Sequence, residues 1–188
     1  GQPLHDPMCG TGTLAIEAAL IAARRAPGLA RAFAAESWPW MPDSRPLRRE
    51  AEARFDPSRI EGISGSDRDP EALELARRHL RQAGLEGRIP FARSEAADLR
   101  CEGGRGVFLT NPPYGQRLSD RAGSEEACRI LRDLQARHPG WALCAISAHP
   151  GFQRVYGRRA DKVRRLYNGR LECEFLTYFP ASAGRPKR

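Results

Sequence analysis

The fold of this chain is decided by residues 4–20, which read LHDPMCGTGTLAIEAAL. A short strand ends at Asp6 and opens into a turn that contains Gly10 and Gly12, and an apolar helix follows over residues 13–25, before Pro27-Gly28. Glycines at such a turn let the backbone approach a ligand without a Cβ clash. Strand, glycine turn and helix in this order predict the nucleotide-binding element of a parallel sheet, with a purely structural turn as the alternative.

Strands and helices alternate outward from this element. We predict further strands at 60–66, 88–92, 107–110 and 141–147, helices at 70–83 and 125–137, a short segment at 152–156, and two strand-like stretches, 162–167 and 171–179, joined at Asn168-Gly169. The alternation predicts an α/β fold: a doubly wound, mostly parallel, seven-stranded Rossmann-like sheet with an antiparallel C-terminal edge hairpin.

The domain organisation is expected to be simple. We expect residues 1–180 to form one domain, in which 29–58 are an insertion-like segment with a charged helix starting near Arg45. Residues 181–188 read as a disordered tail, and the first residues, without an initiator Met, read as a cut into a longer protein.

The composition limits the classes of protein that the chain can represent. Its 188 residues carry a formal net charge of +8, which favours a polyanionic partner, although an Arg-rich solvated surface would give the same balance. The five cysteines are scattered and form no Cys-x-x-Cys pair, so we expect a protein of the reducing cytoplasm without a disulfide framework or a zinc site. No apolar run approaches the roughly 18 residues of a membrane span.

The glycine turn indicates which nucleotide-like ligand it would take. No Gly-Lys-Ser/Thr follows it, which excludes a P-loop, and the third glycine and later acid of an NAD site are lacking. The carboxylate of Asp6 beside the turn would repel a pyrophosphate but suits a cationic ligand. S-adenosylmethionine carries an ammonium and a sulfonium, so the pattern favours this cofactor over NAD.

Aspartates follow the second and third predicted strands. Asp67 ends the second strand, where an acid can accept hydrogen bonds from both ribose hydroxyls. Asp69 is predicted to cap the next helix, with Pro70 at its first position, and capping alone is the alternative role for the pair. Asp98 lies beyond the third strand and is a candidate acceptor for an adenine amino group.

The most specific motif is Asn111-Pro112-Pro113-Tyr114, which directly follows an apolar strand. The two prolines fix the chain and remove two N–H donors, so the Asn111 side-chain oxygen and the Pro112 carbonyl remain as acceptors. Two acceptors that bind the hydrogens of a base amino group can aim its nitrogen lone pair at an electrophilic methyl group. Tyr114 offers a face for an extruded base, whereas a plain turn is the alternative.

At residues 6–13 (DPMCGTGT) and 111–118 (NPPYGQRL) the chain resembles class I methyltransferases that modify amino groups of nucleic-acid bases. It looks closest to the THUMP-associated ribosomal RNA guanine-N2 methyltransferases of the large-subunit methyltransferase L type. The similarity runs from Asp6 to about Tyr178, without the RNA-binding THUMP region of that family. The resemblance implies a catalytic domain with S-adenosylmethionine as its cofactor, no metal, and RNA, ribosomal in that family, as its partner.

The resemblance also implies roles for individual residues. It implies that the cofactor is lined by residues from the ends of the first two strands, namely Asp6, Met8, Cys9, Gly10, Gly12 and Asp67. Asp98 would meet the adenine, and the target base would be held by Asn111, Pro112, Pro113 and Tyr114. Cys9 would then be a pocket-wall residue and not a nucleophile. His5 departs from the expected pattern, because an aliphatic residue is expected at this strand position.

Three functions remain open at this point. The leading hypothesis is direct in-line methyl transfer to guanine N2 in RNA, most plausibly ribosomal RNA, without a covalent enzyme intermediate. Adenine-N6 methylation of DNA or RNA is the nearest alternative, because Asn-Pro-Pro-Tyr serves either amino group. A non-catalytic nucleotide-binding module is an alternative of a different class.

Two surface features could contact RNA. One is a basic cluster, which a solvated surface explains equally well, made of Arg154, Arg158, Arg159, Lys162, Arg164 and Arg165. The other is the pair Trp38 and Trp40, for which packing of the insertion onto the domain is favoured over stacking on bases.

Overall fold

The computed structural model describes residues 1–113 and 121–180, and its centre is one seven-stranded sheet. The strands are β1 (Leu4–Asp6), β2 (Ile63–Asp67), β3 (Phe91–Arg93), β4 (Gly106–Thr110), β5 (Trp141–Ser147), β6 (Lys162–Asn168) and β7 (Leu171–Tyr178). The helices are α1 (Thr13–Ala22), α2 (Arg45–Ala53), α3 (Pro70–Gln82), α4 (Arg121–Arg137) and α5 (Phe152–Tyr156).

The strand order across the sheet is β3-β2-β1-β4-β5-β7-β6. Neighbours from β3 to β5 pair in parallel, and β7 runs antiparallel to both β5 and β6. The predicted doubly wound, mostly parallel sheet with an antiparallel edge hairpin is therefore confirmed. In this order the carboxyl ends of β1, β2 and β4 lie side by side at one edge.

Two separate apolar clusters form the core. One joins α1 and α3 to β2, with Ala15, Ala19 and Leu80 among its buried members. The other joins α4 and α5 to β4, β5 and β7, and it contains Phe108 stacked on Trp141 at a ring separation of 4.6 Å. Separate clusters on the two halves are expected where helices cover a parallel sheet.

Local sequence signals account for the best-predicted elements. The side chain of Asp69 accepts a hydrogen bond from the Glu71 N–H at 2.9 Å, and α3 begins at Pro70, so the predicted cap is confirmed. The strand at 141–147 has the predicted bounds. Every second side chain from Trp141 to Ser147 is buried, as expected for a strand covered on one face.

Three element boundaries differ from the prediction. Helix α1 ends at Ala22 and not at residue 25, because Arg24 takes a left-handed backbone conformation with φ 57°. The third strand covers 91–93, because a turn in which the Arg88 N–H bonds the Leu85 carbonyl occupies its predicted start. Helix α4 starts at Arg121, four residues earlier than predicted.

Most of the insertion-like segment lies outside the two apolar clusters, although Phe55 packs against the cluster that joins α1 and α3 to β2. Neither α2 nor the short 3₁₀ turn at Ala34–Ser37 buries a residue. Arg48 holds the segment together, because its guanidinium bonds Glu36 at 2.6 Å and the carbonyl of Arg31 at 2.8 Å. Trp38 and Trp40 are 50% and 75% exposed and contact each other at 5.5 Å, so the favoured packing of these rings onto the domain is not observed.

The unexpected His5 has a specific environment on the sheet. Its ring nitrogens lie 2.8 Å from the Ser64 hydroxyl and 3.0 Å from the Ser66 hydroxyl, both on the adjacent strand β2. Burial lowers the pKa of His5 to about 4, so the ring is neutral at physiological pH. Two small polar neighbours therefore replace the aliphatic packing that was expected.

Two predictions lie outside the described residues: the disordered tail at 181–188 and the position of Tyr114. Within residues 1–113 and 121–180, no helix combines the length and the apolar character needed to cross a membrane.

Candidate active site

A cavity of about 890 Å³ opens at the carboxyl ends of the parallel strands. Its described lining comes from the ends of β1 to β4 and from α3 and α4: Pro7, Met8, Gly10, Asp67, Arg68, Asp69, Ala72, Ser94, Glu95, Ala96, Asn111, Pro112, Pro113, Gly123, Glu126, Ala127 and Ile130. This volume lies within the range of pockets that bury a cofactor-sized ligand. The glycine turn, the aspartate at the end of β2 and the Asn-Pro-Pro segment after β4 thus meet in one cavity.

The glycine turn between β1 and α1 has the backbone that its sequence predicts. Gly10 and Gly12 take positive φ angles of 51° and 82°, which favour glycine. A Cβ at Gly10 would meet no described atom within 4 Å, so this position faces open space. A Cβ at Gly12 would approach the Phe91 ring to 2.8 Å. Gly10 therefore leaves room for a ligand, whereas Gly12 is needed for close packing against β3.

Asp67 at the end of β2 ties the turn to the sheet. Its Oδ2 accepts a hydrogen bond from the Gly10 N–H at 2.7 Å, and its Oδ1 accepts one from the Asp69 N–H at 3.0 Å. Each carboxylate oxygen can accept more than one hydrogen bond. Asp67 therefore keeps acceptor capacity for hydroxyl groups in the cavity while it holds the turn in place.

Asp6 lies directly behind the cavity wall. Its side chain is 1% exposed, and its Oδ1 accepts a hydrogen bond from the N–H of the lining residue Met8 at 3.2 Å. Burial is the main cause that raises the pKa of Asp6 to about 7, and the negative charge of Asp67 adds to the shift. Asp6 can therefore gain a full charge when a cation binds nearby.

Cys9 is buried in the same turn and is not activated. Burial, together with the carboxylates of Asp6 and Asp67, raises the pKa of its thiol to about 12. The thiolate is the nucleophilic form of cysteine, so Cys9 stays unreactive at physiological pH. The raised pKa therefore argues against a nucleophilic role, while Cys9 itself is absent from the described lining of the cavity.

The segment after β4 lines the cavity with Asn111, Pro112 and Pro113. Asn111 and Pro113 are exposed to the cavity side of the sheet edge, whereas Pro112 is buried. Strand β4 lies beside β1, with Phe108 paired to His5. The acceptor-bearing tip therefore lies one strand away from the glycine turn.

Sequence reasoning missed part of the cavity lining. After β3 the cavity is lined by Ser94, Glu95 and Ala96, whereas the predicted adenine contact Asp98 is exposed beyond them. One face of α4 contributes Gly123, Glu126, Ala127 and Ile130. Their three- and four-residue spacing is a helical signal, but the sequence gave no indication that this face borders a ligand.

The charge of the cavity differs from the charge of the protein. Its described lining contains four acidic residues, Asp67, Asp69, Glu95 and Glu126, and one basic residue, Arg68. The whole chain, in contrast, has a formal net charge of +8. An acidic lining favours a cation over a pyrophosphate, so the residues present fit S-adenosylmethionine. The described residues contain no group of His, Cys, Asp or Glu that could hold a metal ion.

The predicted basic cluster is divided by its contacts. Arg158 bonds Asp161 at 3.2 Å and lies over the Tyr178 ring, which is a structural role. Arg165 pairs with Glu172 at 3.0 Å across the β6–β7 hairpin. Arg164 has no ion pair among the described residues and is exposed. The cluster is therefore not one uniform binding surface.

The chain matches a family model described as "RMKL-like, methyltransferase domain" over residues 1–177. It is 39% identical over 193 residues to the ribosomal RNA large subunit methyltransferase K/L of Syntrophotalea carbinolica. The aligned region covers 95% of this chain and 26% of that protein. The chain spans about a quarter to a half of the length of the curated relatives that it matches.

Solved structures show the same similarity. The crystal structure of SMU.472, assigned as a methyltransferase and complexed with S-adenosylhomocysteine (SAH), has a TM-score of 0.87 and 35% identity over 95% of this chain and 48% of that one. A structure from Listeria monocytogenes, named as a predicted N6-adenine-specific DNA methylase, has a TM-score of 0.86 and 36% identity over 95% of this chain and 47% of that one. SAH is the product that S-adenosylmethionine leaves after methyl transfer, so S-adenosylmethionine is the cofactor of this domain.

Proposed function

Because the chain belongs to the RMKL-like methyltransferase-domain family, we propose that it transfers a methyl group to the exocyclic amino group of a base in RNA, specifically guanine N2 of ribosomal RNA. One observation carries the proposal: Asn111, Pro112 and Pro113 line the same cavity as Gly10 and Asp67. A cofactor bound at the turn and a base bound at the β4 tip would then share one cavity.

The proposed cofactor contacts follow the lining of the cavity. Gly10 and Met8 would lie against the cofactor directly, and Asp67 would accept the ribose hydroxyls. Asp6 would stabilise the positive charges from behind the wall, where the Met8 N–H holds its carboxylate. Gly12 and Cys9 would shape the turn. Asp98 is not among the lining residues, whereas Glu95 is. Glu95 would therefore be better placed than Asp98 to accept a hydrogen bond from the adenine amino group.

The chain's residues would act by positioning the amino group. The Asn111 side-chain oxygen and the Pro112 carbonyl would accept its two hydrogens and direct the nitrogen lone pair across the cavity, while Pro113 keeps the tip rigid and Tyr114 stacks on the base. When bound, S-adenosylmethionine supplies an electrophilic methyl group on a sulfonium. Transfer would form the nitrogen–carbon bond as the carbon–sulfur bond breaks, and the extra proton on nitrogen would leave to solvent. Positioning of this kind lowers barriers by up to roughly 7–11 kcal/mol in favourable cases.

The choice of ribosomal RNA rests on the names of relatives, and the choice of guanine N2 rests on the resemblance of residues 6–13 and 111–118 to the guanine-N2 family. The K/L relatives are named as ribosomal RNA large subunit methyltransferases, and the net charge of +8 suits a polyanionic substrate. Adenine N6 is the second candidate, because the Listeria structure carries the name of an adenine-specific methylase and the Asn-Pro-Pro tip serves either amino group.

Analysis of the product nucleoside distinguishes the candidates. The chain is incubated with S-adenosylmethionine labelled in its methyl group and with unmodified ribosomal RNA, and the RNA is then digested to nucleosides. Labelled N2-methylguanosine is the expected product. Labelled N6-methyladenosine would replace the proposal by the second candidate, and cofactor binding without any transfer would favour the non-catalytic module.

Asn111→Ala tests the role of the β4 tip. We expect methyl transfer to be lost while the affinity for SAH changes by a few fold at most, because Asn111 would touch the base and not the cofactor. Gln82→Ala, which removes an exposed amide at the far end of α3, is the matched control and should leave both properties unchanged. Near-normal turnover of Asn111→Ala would contradict the proposed mechanism.

A further inference from the structure

The β6–β7 hairpin extends beyond the sheet at the edge that carries the cavity. Ser147, the last residue of β5, pairs with Glu174, which in turn pairs with Arg165. Three further residue pairs of the hairpin continue past this level and end at Asn168 and Leu171. We call residues 164–171 the hairpin arm, of which 166–171 lie beyond the end of β5. At about 3.3 Å per residue, the arm projects roughly 10 Å beyond the end of β5.

The direction of the arm follows from the strand pairing. Strand β5 is parallel to β4, and β6 is antiparallel to β7, which is antiparallel to β5. Strand β6 therefore runs in the same direction as β4, and its end lies at the edge where Asn111 enters the cavity. Three strand spacings separate β6 from β4, so the arm lies roughly 15–20 Å from the β4 tip.

The arm carries the side chains that a single nucleic-acid strand needs. Tyr167 is 65% exposed, and Arg164 and Arg170, at the base and tip of the arm, are exposed without an ion pair among the described residues. Arg165 is paired with Glu172, but both side chains are more than half exposed, and such surface pairs are weak. Side chains alternate along a strand, so Tyr167 lies on the face of the hairpin that carries Arg165, and Arg164 lies on the other face. A single strand that follows the exposed outer edge of β6 can stack a base on the Tyr167 ring and meet arginines of both faces with its phosphates.

We propose that the hairpin arm binds the RNA strand that flanks the target base, with Tyr167 stacking on a base and Arg164 and Arg170 contacting phosphates. This inference rests on the proposed function and adds a specific contact surface to it. The distance from the arm to the β4 tip corresponds to a few nucleotides of one strand, so both sites can hold the same RNA.

The charge of the arm favours RNA over a second copy of this chain. Strand β6 is an edge strand with every residue exposed, and it could in principle pair with another β6. Full antiparallel overlap of two such edges would place Arg165 directly opposite Arg165 of the other copy, with Arg164 of each copy one position away. Like charges opposite one another destabilise strand pairing, whereas phosphates would neutralise them.

The test measures RNA affinity separately from catalysis. Binding of the whole chain to a fluorescently labelled single-stranded RNA of about 16 nucleotides is followed by anisotropy at several salt concentrations. For Arg164→Ala/Arg170→Ala we expect weaker binding and a log–log salt slope lower by about 1.4, since each lost phosphate contact on a single strand removes about 0.7. Tyr167→Ala should bind about tenfold more weakly, and Tyr167→Phe, which keeps the ring, should bind normally.

Arg78→Ala/Arg81→Ala is the matched control. Both arginines are exposed near the end of α3, which runs back from the cavity edge, and neither forms an ion pair among the described residues. This variant should keep its RNA affinity and salt slope, and all variants should bind SAH like the unaltered chain.

The possible outcomes distinguish a failure of the inference about the arm from a failure of the proposed function. If the arm variants bind RNA like the unaltered chain while methyl transfer to RNA persists, the inference about the arm is overturned and the proposed function stands. A change of oligomeric state in sedimentation, with unchanged RNA affinity, would instead assign the arm to a protein interface. If the unaltered chain neither binds nor methylates RNA, the proposed function itself fails.

Discussion

Replacing Asp6 with Asn should make the protein more stable at alkaline pH. Burial raises the pKa of Asp6 from an ordinary value of 3.8 to about 7, so the folded protein binds this proton more tightly than the unfolded chain does. Well below pH 3.8 the residue is protonated in both states and has no effect. The free energy of unfolding decreases between about pH 4 and pH 7, because the unfolded chain ionises first, and it levels off once Asp6 is ionised in the folded protein as well.

The size of the effect follows from the shift in pKa. A shift of about 3 units at 1.36 kcal/mol per unit gives a full penalty on the order of 4 kcal/mol, of which about 3 kcal/mol develops between pH 5 and pH 8. Asn keeps the shape and the acceptor for the Met8 N–H but cannot ionise. For a chain of this length, 3 kcal/mol corresponds to a difference of roughly 6–12 °C in Tm.

The assay compares thermal or urea unfolding of the two proteins without cofactor across this pH range. Asp6→Asn should gain stability relative to the unaltered chain as pH rises, whereas Asp98→Asn makes the same chemical change at an exposed position as the control. If the free energies of unfolding of Asp6→Asn and the unaltered chain changed with pH in parallel, the reasoning would be refuted. Ionising Asp6 would then cost no stability in the folded state.

The same residue should couple cofactor binding to pH. If a cationic cofactor binds the ionised form of Asp6, the affinity for S-adenosylmethionine rises as pH approaches 7 in the unaltered chain. In Asp6→Asn the affinity should be lower at pH 8 and should lack this dependence. Calorimetric titrations at several pH values measure both. Equal affinities at pH 8 would show that Asp6 does not contribute to cofactor binding.

Three further substitutions test the local structure by their effect on urea unfolding. Gly12→Ala should lower the free energy of unfolding by about 2 kcal/mol and weaken SAH binding, because a left-handed backbone is unfavourable for Ala and its Cβ would lie 2.8 Å from the Phe91 ring. Unchanged stability would mean that the turn adapts. His5→Leu should lose about 1–3 kcal/mol by leaving two serine hydroxyls without their partner, and removing both hydroxyls as well should restore part of the loss. Asp69→Ala should lose about 1 kcal/mol with the cap of α3, and a normal unfolding midpoint would show that the cap is dispensable.

The accuracy of the sequence prediction varied with the kind of signal. Helix α3 was located well because Asp69 and Pro70 mark its start and a clear apolar face follows, and β5 was located well because it is a continuous apolar run. The first four residues of α4, Arg-Ala-Gly-Ser, were missed because Gly123 and Ser124 are weak helix formers. The third strand was misplaced by up to three residues because three-residue strands have almost no pattern of their own.

The site was predictable to the extent that its residues stand next to strand ends. Gly10, Asp67 and Asn111 were found in this way and do line one cavity. The contribution of Glu126 was not predictable, because it depends on how a helix packs across the sheet. The serine neighbours of His5 were missed for the same reason: the pairing of β1 with β2 brings together residues that are 59 and 61 positions apart in sequence.

The cavity is acidic although the protein as a whole is basic, and this contrast affects how the cofactor and the proposed nucleic-acid substrate would bind. If RNA is the substrate as proposed, its polyanionic backbone would be attracted to the outer surface but repelled from the cavity, so only an uncharged base edge is expected to enter. Methyl transfer also turns a sulfonium into a neutral thioether, which the carboxylates attract less strongly. The reaction would thereby loosen its own spent cofactor, and exchange for a fresh molecule would be favoured by electrostatics alone.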